Sequence, residues 1–345
     1  MKLFEITIKP ALSFATPLKG DTLFGHFCWQ AAYDPGLLNG GLEKWISLYR
    51  SKPYAVFSTA FPKFFDNSKC WYALRKPNLP LSAYISEHDV NKSDAIKKRK
   101  KAKKKKWMKV HENLLIDMQN TEYFTDMELP VFSHKQASME IKKTMDDVGT
   151  SGFCLPFVQP HNTINRLTST TGEGPFAPYS VNACSYYPET ELAVFCLIDE
   201  EATDIDRICT GLERIGMFGF GKDASIGSGK FQLGDRTEID VPTMKDADAC
   251  LTLAPSVPGA GEFREGFFTP FTRFGKHGDV LAKSMNPFKN PIIMADEGAV
   301  FVADSPDVFR KPYMGTAISD LSKAQPQSVH QGYAPYLPLK IGELP

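Results

Sequence analysis

The sequence predicts an α+β protein made of two ferredoxin-like (RRM-related) modules with antiparallel sheets, and three observations carry that expectation. The first ten residues alternate, with Phe4, Ile6 and Ile8 on one face and Glu5, Thr7 and Lys9 on the other, the period of a half-buried strand. A strand followed by a helix occurs at the start of the chain and again after residue 188. Strand–helix–strand repeats are otherwise few, which disfavours a doubly wound parallel sheet.

After the opening strand, Pro17 to Gly20 reads as a turn, and Asp21 or Thr22 is placed to cap a helix. Its apolar residues Leu23, Phe24, Phe27, Cys28 and Ala31 keep helical spacing until Asp34-Pro35-Gly36 stops it. The stretch from about 84 to 160 is rich in Lys, Asp, Glu and Met, with helical runs and little strand pattern, and reads as a lysine-rich helical insertion. Leu192 to Ile198 is a continuous apolar run of strand length. Thr203, with Asp206 three residues on, then opens a helix with the stripe Ile205, Ile208, Leu212 and Ile215, which Gly216 ends. The glycine-rich stretch GMFGFGKDASIGSGKF leads into a strand at 230–233. The tail from 255 is dense in Pro, Gly and Phe, offers short strands at 292–294, 299–302 and 337–341, and wraps onto the second module. The expected domains are 1–185, which includes the insertion, and 186–345, which includes the glycine-rich loop.

A chain of 345 residues with 42% hydrophobic content can fill two cores. Its longest apolar run, Leu192 to Ile198, is far below the roughly 18 residues of a membrane span, and MKLFEITIKP lacks the apolar core of a signal peptide. A cytoplasmic protein with no membrane partner is expected. The seven cysteines show neither a C-x-x-C pair nor metal spacing, so they read as reduced, and neither a metal nor a cofactor is expected. The 40 basic and 40 acidic residues cancel, yet ten of the thirteen residues from Lys97 to Lys109 are basic, leaving −10 elsewhere. That tract attracts any polyanion; a solvated insertion explains it equally well.

Gly216, Gly221 and Lys222 match part of a phosphate-binding loop. Asp223 stands where magnesium coordination wants Ser or Thr, and the stretch follows a helix, so nucleotide hydrolysis is not expected. The glycines with Lys222, Ser225 and Lys230 still make a loop whose amides can approach phosphate oxygens, or else a plain turn. The segment HNTINRLTSTTGEGPFAPY, 161–179, combines hydroxyl and amide donors with Arg166, Phe176 and Tyr179, a mixture suited to RNA. For a general base only His26 and His161 come into question; neither has a local partner set, so no enzyme activity is expected.

Four pieces, GDTLFGHFCW (20–29), INRLTSTTGEGPF (164–176), GFGKDASIGSGKF (219–231), and NPIIMADEGAVF (290–301) with HQGYAPYLPL (330–339), span nearly the whole chain. In that order they resemble the RAMP (repeat-associated mysterious protein) superfamily, in its Cas5-like group represented by the fourth subunits of Csm-type (type III-A) CRISPR effectors. The resemblance implies a non-catalytic subunit that holds the five-prime repeat-derived tag of crRNA, joins the large signalling and DNase subunit, and caps the filament of backbone subunits. By position it implies three RNA-binding elements: Lys19, Gly20, Asp21 and Thr22 with His26 nearby; Arg166, Thr168, Thr170 and Phe176; and Gly219, Gly221, Lys222, Ser225, Gly227, Gly229 and Lys230. The Lys97–Lys109 tract and Asp223 depart from the family's pattern. A RAMP endoribonuclease that processes precursor crRNA with His26 as base is the alternative, and a Cmr or type III-D assembly would keep the same RNA role.

Overall fold

The computed structural model describes residues 1–67, 69–84, 92–149 and 152–342. In chain order the first elements are β1 (Lys2–Pro10), α1 (Gly20–Tyr33), α2 (Leu42–Leu48), β2 (Ala55–Phe57), β3 (Phe61–Asp66) and β4 (Lys69–Arg75). There follow α3 (Lys92–Lys104), β5 (Lys105–His111), β6 (Tyr123–Thr125), α4 (Leu129–Gln136), α5 (Met139–Val148), β7 (Cys154–His161) and β8 (Tyr179–Tyr186). Next come β9 (Glu191–Ile198), α6 (Ile205–Phe218), β10 (Phe231–Ile239), β11 (Ala249–Thr252), β12 (Phe263–Phe267), β13 (Pro270–Arg273) and β14 (Ile292–Ala295). The chain closes with β15 (Val300–Ala303), β16 (Tyr313–Gly315) and β17 (Tyr333–Leu339).

The two strand–helix units do not found separate modules. They interleave in one antiparallel sheet of order β10-β1-β9-β3-β4-β5-β6, with β2 also on β9, so β1 has β9 on one edge and β10 on the other. The first four strands with α1 and α6 make a single ferredoxin-like arrangement, which a boundary at 185/186 would cut in two. The physical reason lies in β9: every residue from Leu192 to Ile198 is buried, and a strand apolar on both faces belongs at the centre of a covered sheet. The second sheet, β12-β15-β11-β17-β16, is antiparallel, and no α-helix follows Phe218 among the described residues. It is therefore not a second ferredoxin-like module.

The expectation for 84–160 also changes, because β5, β6 and most of β7 fall within it. The lysine tract is helical only to Lys104; from Lys105 it is a strand paired with β4 and β6, with Met108 and Val110 buried at alternate positions. Helix boundaries shift for similar reasons. Asp204, accepting from the Arg207 amide at 2.9 Å, caps α6, while Thr203 donates to the Leu37 carbonyl. Gly216 lies inside α6, where a Cβ would strike the Phe231 carbonyl, and Gly219 is the cap. Asp21 and Thr22 lie inside α1, whose N-cap is Lys19. Cys154 and Cys184 are joined across β7 and β8, with Cα atoms 5.7 Å apart, so the expectation that all seven cysteines are reduced does not hold.

The two sheets share one hydrophobic core, to which Leu251, Leu253, Leu337 and Leu339 contribute from the second. Gln331 stitches them: its amide accepts from the Phe57 N–H at 3.0 Å and donates to the Phe57 carbonyl at 2.8 Å, as a neighbouring strand would. β1 is not half-exposed, since Glu5 and Thr7 are 3% and 1% accessible and bind the buried Lys63 ammonium at 3.1 and 2.9 Å. RRM-type recognition stacks bases on an open sheet face. Here both faces of the central strands are filled, and a nucleic acid is left the loops and the edges.

Candidate nucleic-acid interface

The N-terminus of α1 faces the separate β13–β14 hairpin and the turn that leads from it to β15. Lys19 pairs with Asp296 and, at 2.8 Å, with Glu297, and its ammonium lies 4.9 Å from the centre of the Phe271 ring. Asp21 is buried, held by Arg273 at 2.6 and 3.0 Å and by His330 at 3.2 Å. Burial pushes its pKa up, but His330 and Arg273 outweigh that and hold the carboxyl at about 2. A Cβ on Gly20 would strike the Phe57 carbonyl, and the Thr22 amide donates to the Lys19 carbonyl. The expectation that Lys19, Gly20, Asp21 and Thr22 form an RNA-binding loop gives way here: the charges of Lys19 and Asp21 are engaged at the seam between the sheets, and Gly20 gives the clearance that lets α1 approach β2.

One turn further along, His26 reaches the glycine-rich loop. Its Nε2 accepts the Gly221 N–H at 3.0 Å, its ring lies 4.7 Å from that of Phe220, and burial pushes its pKa down to about 4. The neutral ring is a structural acceptor. Most of the loop's amides are engaged in the same way: Lys222 donates to Thr16 Oγ1 at 2.9 Å, Gly229 to the Ser13 carbonyl at 2.7 Å, and Ile226, Gly227 and Ser228 to carbonyls within the loop. The expected row of free amides is thus reduced to Asp223, Ala224, Ser225 and Lys230, which donate to nothing among the described residues.

The glycines divide by function. A Cβ at Gly219 would strike the Ser228 carbonyl, at Gly221 the Thr16 side chain, and at Gly229 the Phe220 backbone. Gly227, at φ +102°, has nothing nearer than Leu12 Cδ1 at 4.0 Å and borders a cleft of about 180 Å³. Lys222 and Ser225 are exposed and Lys230 is half-buried.

The far wall of that cleft is the β7–β8 ribbon, through Gln159 and His161. His161 Nε2 lies 3.5 Å from Asp223 Oδ2, so Asp223, a departure in the sequence, is the loop's tie to the ribbon. The His161 ring stacks on Tyr179, 5.1 Å centre to centre and 11° apart in tilt, and Tyr179 is 48% exposed. Beyond this pair the ribbon runs out to an exposed tip bearing Arg166, Thr168 and Thr170, whose two hydroxyls are 3.0 Å apart. Phe176 is half-buried, with its carbonyl bonded to the Gly172 amide. The structure therefore joins His26, the glycine-rich loop and the base of the ribbon, sets the ribbon tip apart, and removes the α1 N-terminus to the seam. The His161–Tyr179 platform is what sequence reasoning missed, because only strand pairing brings residues 161 and 179 together.

Among the described residues no His, Cys, Asp and Glu cluster could hold a metal, and no helix is long and apolar enough to cross a membrane. No protein-family model and no curated protein matches the sequence. Solved structures do. A chain of the Csm3-Csm4 subcomplex in the type III-A CRISPR-Cas interference complex is similar at a TM-score of 0.55 and 14% identity, over 99% of this chain and 100% of that one. Chains of Csm1-Csm4 cassettes in complex with cA4 (TM-score 0.54, 13% identity) and with AMPPNP (0.52, 14%) match with the same coverage. Csm4 is the component these structures have in common, and the fold described above is similar to that of the chains matched there.

Proposed function

We propose that this chain is a non-catalytic RNA-binding subunit of a type III CRISPR effector, holding the five-prime repeat-derived tag of crRNA and joining the large subunit to the backbone subunits. The observation that carries this reading is the whole-chain correspondence with structures that pair Csm4 with Csm1 and with Csm3. The site supports it in chemical kind. Lys222, Lys230 and Arg166 supply charge for phosphates, Ser225 and the threonines supply hydroxyls, and Tyr179 offers a ring face to a splayed base.

Processing of precursor crRNA with His26 as base asks that nitrogen to take a proton from a 2′-OH. Its Nε2 lone pair is already engaged by the Gly221 amide, which speaks against that role. The reading is tested by expressing a tagged chain beside its genomic neighbours and identifying what comes with it. Tagged crRNA, the large subunit and the backbone subunits are expected together; a chain that recovers none of them would overturn the reading. Incubated alone with repeat RNA in EDTA, the chain is expected to leave the RNA intact, and cleavage that disappears in His26→Ala would make it the processing enzyme instead.

A further inference from the structure

A second groove, of about 380 Å³, shares no residue with the cleft beside the glycine-rich loop. It lies where the end of β4 meets the α3–β5 junction, and its basic lining is Arg75, Lys76, Lys103, Lys105 and Lys106. Asp296 and Glu297 stand on its other wall, but their charges are already answered, both by Lys19 and Glu297 also by Arg75 at 3.6 Å. Lys106 is paired with Asp126 at 2.6 Å. Lys76, Lys103 and Lys105 make no close ion pair with a carboxylate among the described residues, although Glu128 lies near enough to Lys105 to feel its charge.

Lys76 is the informative one. It is half-buried, donating to the Ala102 carbonyl at 3.2 Å with its ammonium 3.6 Å from the centre of the Tyr84 ring. Burial, and Lys105 next to it, push its pKa down to about 8. A desolvated ammonium without a counter-charge is unfavourable, and an anion entering the groove would relieve it. From the groove the basic surface continues along α3 back to Lys97, roughly 10 Å at the helical rise, so the charges form a track and not a point. A folded protein partner would be expected to find an apolar anchor at the centre of its contact; apart from Ile96, the exposed side chains from there to Lys101 are all basic, Arg99, Lys100 and Lys101 among them.

We infer that the groove and α3 form a second nucleic-acid site that takes the phosphodiester backbone of a single strand by charge, irrespective of base sequence. It does not depend on the glycine-rich loop and would stand if the tag reading failed.

The probe is a labelled 12-nucleotide oligouridine titrated against the full chain at several salt concentrations, with the matching deoxy strand and a polyglutamate of equal charge as further arms. Replacing both Lys103→Gln and Lys105→Gln, the first exposed and the second half-buried in the groove wall, is expected to weaken strand binding about ten-fold at low salt and to reduce the salt slope by about 1.4, roughly 0.7 for each phosphate no longer neutralised. Lys76→Met, which keeps the stem over Tyr84, is expected to act in the same direction from inside the groove. Binding of the RNA arm, the DNA arm or both supports the proposal and tells which strand the groove takes. Unchanged affinity and slope in the double variant and in Lys76→Met overturn it. Polyglutamate binding as tightly as either strand also overturns it and assigns the groove to an acidic protein.

Discussion

A histidine whose Nε2 accepts a backbone amide has to stay neutral to keep that bond. With His26 at about 4 in the fold and about 6.5 in the unfolded chain, the unfolded chain binds more protons between those values. Stability therefore falls as pH drops from about 6.5 to about 4, by up to roughly 3 kcal/mol. Asp21 acts in a lower window, because its pKa is depressed from 3.8 to about 2. Its contribution, roughly 2–3 kcal/mol, is complete above about pH 4 and is lost as pH falls toward about 2. Thermal melts between pH 7 and pH 2 separate the two. His26→Gln, which still offers an acceptor, should flatten only the upper limb. Asp21→Asn should remove the lower limb and reduce Tm at neutral pH as well, because the half-buried Arg273 guanidinium then faces a neutral group. An undiminished upper limb in His26→Gln would refute the assignment of His26 as a neutral acceptor.

The glycine-rich loop and the β7–β8 ribbon act as elements, and their glycines and rings should separate folding from binding. Gly229→Ala puts a methyl group into the Phe220 backbone at φ +73°, so a loss of about 2 kcal/mol or more in stability is expected, whereas Gly227→Ala meets open space and should cost only about 1 kcal/mol of backbone strain. On the ribbon, Tyr179→Ala is expected to weaken RNA binding by about 1–3 kcal/mol with little dependence on salt and an unchanged melt. Arg166→Ala should instead reduce the salt slope, by about 0.7 for one phosphate of a single strand. Phe176→Ala should chiefly lower Tm, since that ring is half-buried. Titrations at two salt concentrations beside melts check all of these, and Tyr179→Ala with wild-type affinity would remove the stacking platform. The loop was legible in the sequence because glycine spacing is a local signal. What its amides bond to was not, since His26 and Thr16 lie 195 and 206 residues from their donors and nothing nearby marks them.

For the molecule as a whole, the alternation in β1 and the apolar run of β9 were readable as strands, but their adjacency was not. Register is written in neither sequence, and the repeat of strand and helix suggested two modules where one sheet holds both. The lysine tract misled in the other direction, its charge masking the alternation of Trp107, Met108, Lys109 and Val110 that makes β5 a strand. A fragment ending at residue 185 lacks both neighbours of β1, so it should show no cooperative melt, while the intact chain should unfold in one transition that Gln331→Leu lowers by several degrees. A fragment 1–185 with its own sharp transition would contradict the shared sheet. The placement of β1 also sets a clock on biosynthesis. The first strand leaves the ribosome long before β9, which begins at residue 191, and β10, which ends at residue 239. At roughly 5–20 residues per second the nascent strand waits on the order of 10–50 s for its partners. Through that interval Leu3, Phe4, Ile6 and Ile8 are open to aggregation or to a chaperone, so the yield of native protein should depend on elongation speed between codons 10 and 239 and hardly at all on speed beyond them.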